Sequence, residues 1–322
     1  MASSAGQSAS GSAASHAAAA NKPQWRKHWS RDKYLYLLLA PVALYFIVFK
    51  YAPLLGEVMA FKNYRLADGI WGSPWVGFDQ FRKLFTSRDF ISILRNTLLL
   101  NVYGLVFAFP VPILLALMLN ELHSERYKRI LQNLLYIPHF MSWIVLGSIV
   151  IALLSPSTGI VNAILKLLGL EPIYFMASTF WWPVAFVGSS VWREAGFGTI
   201  MYLAAMASIN PQLYEAAAID GASKLRQIWH VTLPGIRSTV AILLVLHMGK
   251  MMDVGFEQVY ALQNSAVGSV SEVISTYVYT RGIVGLQYSY TTALGLFQSV
   301  VSLALVVAVN RLIRAMGERG LW

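Results

Sequence analysis

The 322-residue sequence contains no cysteine and comparatively little charge. Without cysteine, disulfides and thiolate metal sites are excluded. Asp, Glu, Lys and Arg make up 12% of the residues, and a soluble domain usually carries about twice that share. The six histidines, at positions 16, 28, 123, 139, 230 and 247, show no spacing typical of metal ligands. A Gly-x-x-x-x-Gly-Lys-Ser/Thr segment is also absent, so the sequence offers no P-loop for ATP.

Apolar residues dominate what is present. They account for 57% of the chain, and the mean hydropathy is +0.55. A net charge of +10 is also seen in nucleic-acid-binding proteins. In a membrane protein, however, an excess of Lys and Arg marks the cytoplasmic loops. We therefore predict an all-α protein of the lipid bilayer that binds no nucleic acid.

Six apolar segments are long enough to cross about 30 Å of hydrocarbon. They lie near 34–55, 96–120, 130–154, 182–207, 238–262 and 291–314. The first follows a basic run, as a secretory signal would, but it ends in Lys50-Tyr51-Ala52-Pro53 instead of a small-residue cleavage site, which favours a retained helix. Residues 2–20 are almost entirely Ala, Ser and Gly and are predicted to be disordered. The predicted organisation is a disordered, then basic, tail over 1–33 and a six-helix membrane domain over 34–322.

Basic residues are divided unevenly between the two sides of these segments. Fourteen Lys and Arg lie on the side that holds both termini, and eight lie on the other side, six of them in the connection of about 52–95. This distribution predicts that both termini and residues 210–237 are cytoplasmic. It also predicts an outer cap at about 56–95. Phe78, Phe81, Leu84 and Phe90 recur there at helical spacing, which suits an interfacial helix or two short helices packed on the bundle.

The stretch 210–237 is amphipathic and lies between two strongly apolar segments. Asn210 can cap a helix and Pro211 fits the first helical position. Asp220-Gly221 predicts the end of that helix, because glycine readily takes the left-handed conformation.

A second helix is predicted to follow and to end at Pro234-Gly235. Its apolar face would carry Leu225, Ile228, Trp229 and Leu233. The resulting helix–turn–helix is either a knob that docks into another protein or an interfacial loop that packs its apolar face on its own bundle.

The same stretch contains an ordered series of residues. The series is Glu215, Ala216, Ala217, Asp220, Gly221 and Ala222, followed eleven positions on by Leu233 and Pro234. It resembles the EAA loop of binding-protein-dependent ABC import permeases. The resemblance to the carbohydrate-importing permeases extends over about 34–322, through Asn96-Thr97, 255–260 and 288–299. The last two segments, with 276–279 and 320–322, resemble the subgroup that imports complex oligosaccharides or polysaccharides.

This resemblance implies a type I ABC importer fold and a division of labour among subunits. The eight loop residues would form a knob that sits in a cleft of a cytoplasmic ATPase subunit, so that closure of the ATPase dimer moves the membrane helices. The implied partners are a second, homologous permease, two ABC ATPase subunits that hydrolyse ATP with Mg, and an extracytoplasmic solute-binding protein. The chain itself would bind no metal or cofactor and would have no catalytic residue. Its location would be the bacterial cytoplasmic (inner) membrane.

Charged residues also occur within the predicted membrane helices. They are Arg193, Glu194, Lys250, Asp253 and Glu257. Because charges near the bilayer centre cost several kcal/mol unless paired or hydrated, they should face inward. They would either neutralise one another, as Lys250 and Asp253 could on one helix face, or line a polar pathway for a hydroxyl-rich substrate.

In the pathway interpretation, the substrate is a carbohydrate, with an acidic one such as alginate or a pectin fragment as the favoured candidate. Arg193 would pair with a sugar carboxylate. Tyr277, Tyr288 and Gln298 would add aromatic and amide contacts, since sugar sites combine aromatic faces with a few polar groups.

Two other functional classes are compatible with a multi-helix membrane chain. A proton-coupled secondary transporter could use Asp253 and Glu257 as proton sites, although the inverted repeats typical of such transporters are not evident. A membrane enzyme of lipid or glycan chemistry would need a cluster of polar catalytic residues, which we do not find in the sequence.

Overall fold

The computed structural model describes residues 33–317 and 320–321. The predicted disordered tail, apart from Lys33, therefore lies outside the described residues. The chain divides into two units, Met1–Val58 and Met59–Trp322. Within the described ranges the regular structure is helical, with one isolated bridge between Lys62 and Trp75.

The first long helix covers Lys33–Phe61. It consists of α1 (Lys33–Phe46), a π-helical turn at Ile47–Tyr51 and a 3₁₀ stretch at Ala52–Phe61. Its apolar side chains are largely exposed, as expected for a helix surrounded by lipid. The predicted first segment at 34–55 thus lies within this helix.

The remaining helices run as follows in chain order. They are α2 (Gly69–Gly72), α3 (Asp79–Thr86), α4 (Arg88–Tyr103), α5 (Pro110–Asn120), α6 (Glu125–Tyr136), α7 (Trp143–Leu153), α8 (Ile160–Leu167), α9 (Trp181–Ala207), α10 (Pro211–Ile219), α11 (Lys224–Gln227), α12 (Leu233–Gly249), α13 (Phe256–Leu262), α14 (Gly268–Ser271), α15 (Ile274–Tyr277) and α16 (Tyr288–Ala315).

Four helices in the described part of the chain are long and apolar enough to span a membrane. They are Lys33–Phe61, Arg88–Asn120, Lys224–Gly249 and Tyr288–Ala315. Glu125–Phe140 and Trp143–Leu153 would form a fifth span if taken together, but they are bent by 105°. The remaining predicted segment, 182–207, corresponds to α9, which is 27 residues long and carries Arg193 and Glu194. The six-crossing topology therefore remains a prediction.

Two predicted segments differ from the structure. The segment 238–262 is not one helix, because α12 ends at Gly249 and α13 begins only at Phe256 after a turn in which Gly255 has a φ of +85°. The segment 130–154 is interrupted after a 3₁₀ turn at Ile137–Phe140. Pro138 lies in this turn and cannot donate a helical hydrogen bond, which accounts for the break.

Helix α9 lies at the centre of the larger unit and packs closely against two neighbours. At Gly196, an added Cβ would collide with the backbone carbonyl of Leu135 in α6, and at Gly198 it would lie 3.0 Å from Pro112 in α5. Trp182, at the start of α9, is fully buried and donates its indole N–H to the Leu262 carbonyl at 2.9 Å. Small residues on α9 thus let three helices approach one another.

Helices from the segment predicted as an outer cap pack on the bundle. Leu84 in α3 and Phe90 in α4 are buried, and the rings of Phe85 and Phe90 meet Phe297 of α16 edge to face at 5.6 and 5.3 Å. This arrangement corresponds to the predicted alternative of helices packed on the rim. The second of the two helices, however, continues into the long helix Arg88–Asn120.

Candidate functional site

The first helix of the 210–237 loop begins and ends where the sequence predicts. The Asn210 side chain accepts a hydrogen bond from the Gln212 N–H at 3.0 Å, and Pro211 takes the first helical position. At the other end, the Ala222 N–H donates to the Ala217 carbonyl at 2.9 Å and the Gly221 N–H to the Ala218 carbonyl at 3.0 Å. With a φ of +73° at Gly221, these bonds form a Schellman motif.

The second helix does not end at Pro234-Gly235, so that prediction is wrong. Helix α11 passes through a π-helical turn at Ile228–Thr232 into α12, and the three form one helix over Lys224–Gly249. Pro234 stands in the first turn of α12. The wider π turn before it accommodates the missing proline N–H, so the chain stays helical.

Three contacts hold the loop in place. The Tyr214 and Thr232 hydroxyls lie 3.0 Å apart, which ties α10 to the second helix. The Gln227 side-chain amide donates to the Ala222 carbonyl at 3.2 Å. Lys224 pairs with Glu121 at 3.5 Å, so the loop also contacts the connection between α5 and α6. The turn is therefore fixed in shape.

The outward side of the loop is apolar and exposed. Ile219 is 87% exposed, Leu225 66% and Trp229 63%, and Glu215 is exposed on the same loop. Of the predicted apolar face, Leu225 and Trp229 are exposed, whereas Ile228 is half-buried and Leu233 packs against a core cluster of the bundle. The face is therefore only partly packed on the chain's own bundle, whereas the interfacial-loop interpretation required all of it to be packed there. Large exposed apolar side chains beside a charge are typical of a protein-interaction surface.

The loop shares one end of the bundle with other basic segments. The ion pair between Lys224 and Glu121 places the 120–125 connection beside it. Helices α12 and α16 are antiparallel, because Ala241 clusters with Ile313 while Gly249 faces Val306. The C-terminal end of α16, with Arg311, therefore lies at the same end as the loop. The charge distribution predicted that these basic segments lie on the same side as the 210–237 loop.

Arg193 is engaged by its own chain. Its Nε donates to the Met141 carbonyl at 3.2 Å, its guanidinium pairs with Glu194 at 2.7 Å, and it stacks over the Trp143 ring at 4.7 Å. Glu194 also lies 2.9 Å from His139. Since Met141 stands in the break between α6 and α7, Arg193 satisfies a carbonyl that the broken helix leaves free.

We expect Arg193→Lys to lower the thermal stability of the detergent-solubilised protein, because lysine lacks the forked guanidinium that serves both partners. Losing a charge-assisted hydrogen bond to a carbonyl costs about 1.5–3 kcal/mol. The measurement is the melting midpoint in detergent. Glu194→Gln, which leaves the bond to Met141 intact, is the control and should lower the midpoint less. An unchanged midpoint for Arg193→Lys would contradict the role assigned to Arg193.

An open cavity of about 550 Å³ lies between α4, α5, α9, α12 and α13. Its polar lining comprises Asn101, Ser190, Glu194, Tyr202, His247, Lys250 and Gln258. Phe109, Phe186 and Phe197 add aromatic surface. The cavity therefore combines aromatic faces with polar groups, as carbohydrate sites do.

The cavity brings together two of the predicted pathway residues, Glu194 and Lys250. Several others lie elsewhere with structural contacts of their own. Asp253 accepts from the Gly255 N–H at 2.9 Å, and Gln298 donates to the Met252 carbonyl at 2.8 Å. Within the described residues, Lys250 and Asp253 form no ion pair, so their predicted mutual neutralisation is not observed.

The remaining predicted pathway residues also lie outside the lining of this cavity. Tyr277 is buried in a core cluster, the ring of Tyr288 meets Tyr64 edge to face at 5.6 Å, and Glu257 lies in the first turn of α13. Sequence reasoning missed Ser190, Phe197 and other lining residues. The spacing of Ser190, Glu194 and Phe197, which places them on one face of a helix, was the available signal.

The comparisons with known proteins agree with this geometry. Residues 108–319 match the family described as "Binding-protein-dependent transport system inner membrane component". The chain is 46% identical to Protein LplB of Bacillus subtilis, over 92% of this chain and 94% of that protein. It is also 46% identical to the polygalacturonan/rhamnogalacturonan transport system permease protein YteP of the same organism, over 91% of each chain.

Two solved structures have a similar fold. One is a bacterial ABC transporter involved in the import of the acidic polysaccharide alginate, with a TM-score of 0.85 and 42% identity over 92% of this chain and 100% of that chain. The other is a bacterial alginate ABC transporter in complex with a periplasmic protein bound to an alginate pentasaccharide, with the same TM-score and identity and 99% of that chain covered.

Proposed function

The chain belongs to the family of binding-protein-dependent transport system inner membrane components, and from that membership we propose that it forms half of the pathway of an ATP-driven importer for an acidic oligosaccharide or polysaccharide. The observation that carries the proposal is the exposed, rigidly held helix–turn–helix at 210–237. The sequence has no P-loop of its own, so a partner must hydrolyse ATP, and the loop is the surface through which that partner would act.

The contact with the ATPase would be formed by the exposed side of the loop. Its apolar part is Ile219, Leu225 and Trp229, and Glu215 supplies a charge beside them. The remaining loop residues shape the knob. They are Ala216, Ala217, Asp220, Gly221, Ala222, Leu233 and Pro234. Small side chains at the bend allow close approach of a partner's groove, and fully desolvated apolar anchors dominate the energy of such interfaces.

The complete assembly would contain a second permease, two ATPase subunits and an extracytoplasmic binding protein. The similar alginate transporter has been solved with a sugar-bound periplasmic protein, which supports the last of these. The four long apolar helices support a multi-pass protein of the bacterial inner membrane. The six apolar segments and the charge distribution of the sequence support six crossings with both termini in the cytoplasm. In this organisation, 1–33 is a cytoplasmic tail and 34–322 is the permease domain.

The open cavity is the proposed substrate contact. Lys250 is exposed, lies on the cavity wall and has no acidic partner within the described residues. A free cation in a cavity with aromatic walls fits a uronate-type sugar. The relatives whose names mention polygalacturonan and alginate handle acidic polymers of this kind. The Glu194 carboxylate, which is about half exposed at the cavity wall, would accept hydrogen bonds from sugar hydroxyls.

The secondary-transporter alternative receives less support from the geometry. Its proposed proton sites, Asp253 and Glu257, are not among the residues lining the cavity, and the Asp253 carboxylate caps the turn at Gly255. A proton-coupled pathway would need these carboxylates to face the transported substrate.

Glu215→Lys tests the proposed docking. We expect the variant to reach the membrane but to lose co-purification with its ATPase and ATP-coupled uptake, because the exposed charge is reversed at the contact. Glu125→Lys is the matched control, since Glu125 is exposed at the same end of the bundle but outside the loop; it should keep both properties. Normal co-purification and uptake by Glu215→Lys would overturn the docking assignment.

Lys250→Gln tests the substrate assignment. Removing one cation opposite a sugar carboxylate at a solvated site should cost about 1 kcal/mol, or about fivefold in the half-saturating concentration for uptake. The measurement is uptake of a labelled acidic oligosaccharide at varied concentration. Lys250→Arg, which retains the charge, should behave like the unmodified protein. Equal half-saturation for Lys250→Gln would refute the contact.

A further inference from the structure

Helix α8 (Ile160–Leu167) presents its apolar side chains outward. Ile160, Ala163, Ile164 and Leu167 are all exposed and recur at the spacing of one helix face, and Leu167 is 87% exposed. Lys166, also exposed, lies beside this stripe. An amphipathic helix on a protein in water places its apolar stripe on the core. In α8 the four apolar side chains of this stripe are exposed, while Asn162 is buried and Val161 and Leu165 are half-buried.

The inward face of α8 is held by a polar residue. Asn162 is 1% exposed, donates its amide to the carbonyls of Leu154, Ser155 and Ile173 at 3.0–3.3 Å, and accepts from the Ile173 N–H at 2.8 Å. These bonds fix the rotation of the helix. The hydrogen bonds of Asn162 therefore keep the apolar stripe facing outward. The exposure of the stripe is not the result of a loosely attached segment.

The helices before and after α8 in the chain also expose apolar side chains. Helix α7, which precedes α8, exposes Ile144 and Ile151, and α9, which follows it, exposes Val184. The connection back to α9 exposes the aromatic rings of Tyr174 and Phe180. Exposed aromatics between an apolar surface and water are typical of the membrane interface.

We propose that α8 lies in the outer-leaflet interface of the bilayer, with Ile160, Ile164 and Leu167 inserted among the acyl chains. Lys166 would reach the lipid phosphates, since a long cationic side chain beside an apolar face extends toward the headgroups. The partner of this surface is thus phospholipid, held by an apolar stripe flanked by a cation. The helix would anchor the 154–180 connection at a fixed depth beside the pathway.

Site-directed spin labelling of the assembled importer in phospholipid nanodiscs tests this proposal. Since the sequence has no cysteine, Ile164→Cys or Leu167→Cys introduces a single labelling site in this chain, which is labelled before it is combined with its partner subunits. The control is Asp68→Cys, an exposed polar position in the outer cap. Each label is probed with oxygen, which concentrates in lipid, and with a water-soluble nickel chelate. Uptake activity of the labelled complexes is measured separately, so a failure of the proposed transport function would be distinguishable from a failure at α8.

We expect the oxygen-to-nickel accessibility ratio at positions 164 and 167 to be several-fold higher than at position 68. High nickel accessibility at 164 and 167 would place the stripe in water and overturn the proposal. Low accessibility to both reagents would show that a protein subunit covers the stripe, which would also overturn it.

Discussion

Replacement of Gly221 by aspartate should abolish ATP-coupled uptake while leaving the protein in the membrane at normal abundance. Gly221 has a φ of +73° and ends α10 in a Schellman motif. In this left-handed conformation a residue with a Cβ is destabilised by about 1–2 kcal/mol, so the turn would rearrange locally. An added Cβ meets nothing within 4 Å, which leaves the packing of the bundle undisturbed. The rearranged turn and the new carboxylate would both lie on the surface that is proposed to dock with the ATPase.

Gly169→Asp is a closely matched control for this prediction. Gly169 ends α8 in the same motif, with the Gly169 N–H bonded to the Lys166 carbonyl and the Leu170 N–H to the Leu165 carbonyl. Its φ is +76° and its Cβ position is equally open. The free-energy cost of placing a side chain in this backbone conformation is therefore similar to that at Gly221, but Gly169 lies outside the 210–237 loop. We expect uptake to persist in Gly169→Asp, and equal loss in both variants would point to backbone strain as the cause.

Gly196→Val should prevent the chain from accumulating in folded form. A Cβ at this position collides with the Leu135 backbone carbonyl, which cannot move without separating α6 from α9. Overpacking against side chains typically costs 1–3 kcal/mol, and a backbone neighbour leaves less room to relax. The measurement is the amount of monodisperse protein recovered after solubilisation.

Gly188→Val controls for the loss of glycine itself. Gly188 lies two turns earlier on α9, and an added Cβ there meets nothing within 4 Å. This variant should accumulate normally. Full recovery of Gly196→Val would mean that α6 and α9 are not held at the distance described.

The first helix of the 210–237 loop was predictable because its determinants are local. Asn210, Pro211 and Gly221 act through bonds to residues a few positions away, so their identities define the first helix. The continuation past Pro234 was not predictable in the same way. It depends on a π turn at Ile228–Thr232, and propensity and proline placement do not reveal where a helix will widen to keep its path.

The interior was harder to predict because its contacts join distant parts of the chain. Arg193 looked like a substrate ligand, yet it bonds to Met141, a carbonyl freed by a break in another helix. The break between Gly249 and Phe256 likewise turned the expected face shared by Lys250 and Asp253 into two separate environments. Apolar periodicity cannot show which side chains fill such breaks. The helical spacing of Ser190, Glu194 and Phe197 was the feature of the sequence that indicated the cavity.

Uptake by reconstituted proteoliposomes tests the central claim most directly. The importer would be purified with its sister permease, ATPase subunits and binding protein, and supplied with a labelled acidic oligosaccharide, with or without ATP at the ATPase face and with or without a proton gradient. We predict uptake that requires ATP and the ATPase, does not need the gradient, and disappears in Gly221→Asp. Uptake driven by the gradient in vesicles that contain this chain without an ATPase would contradict the account.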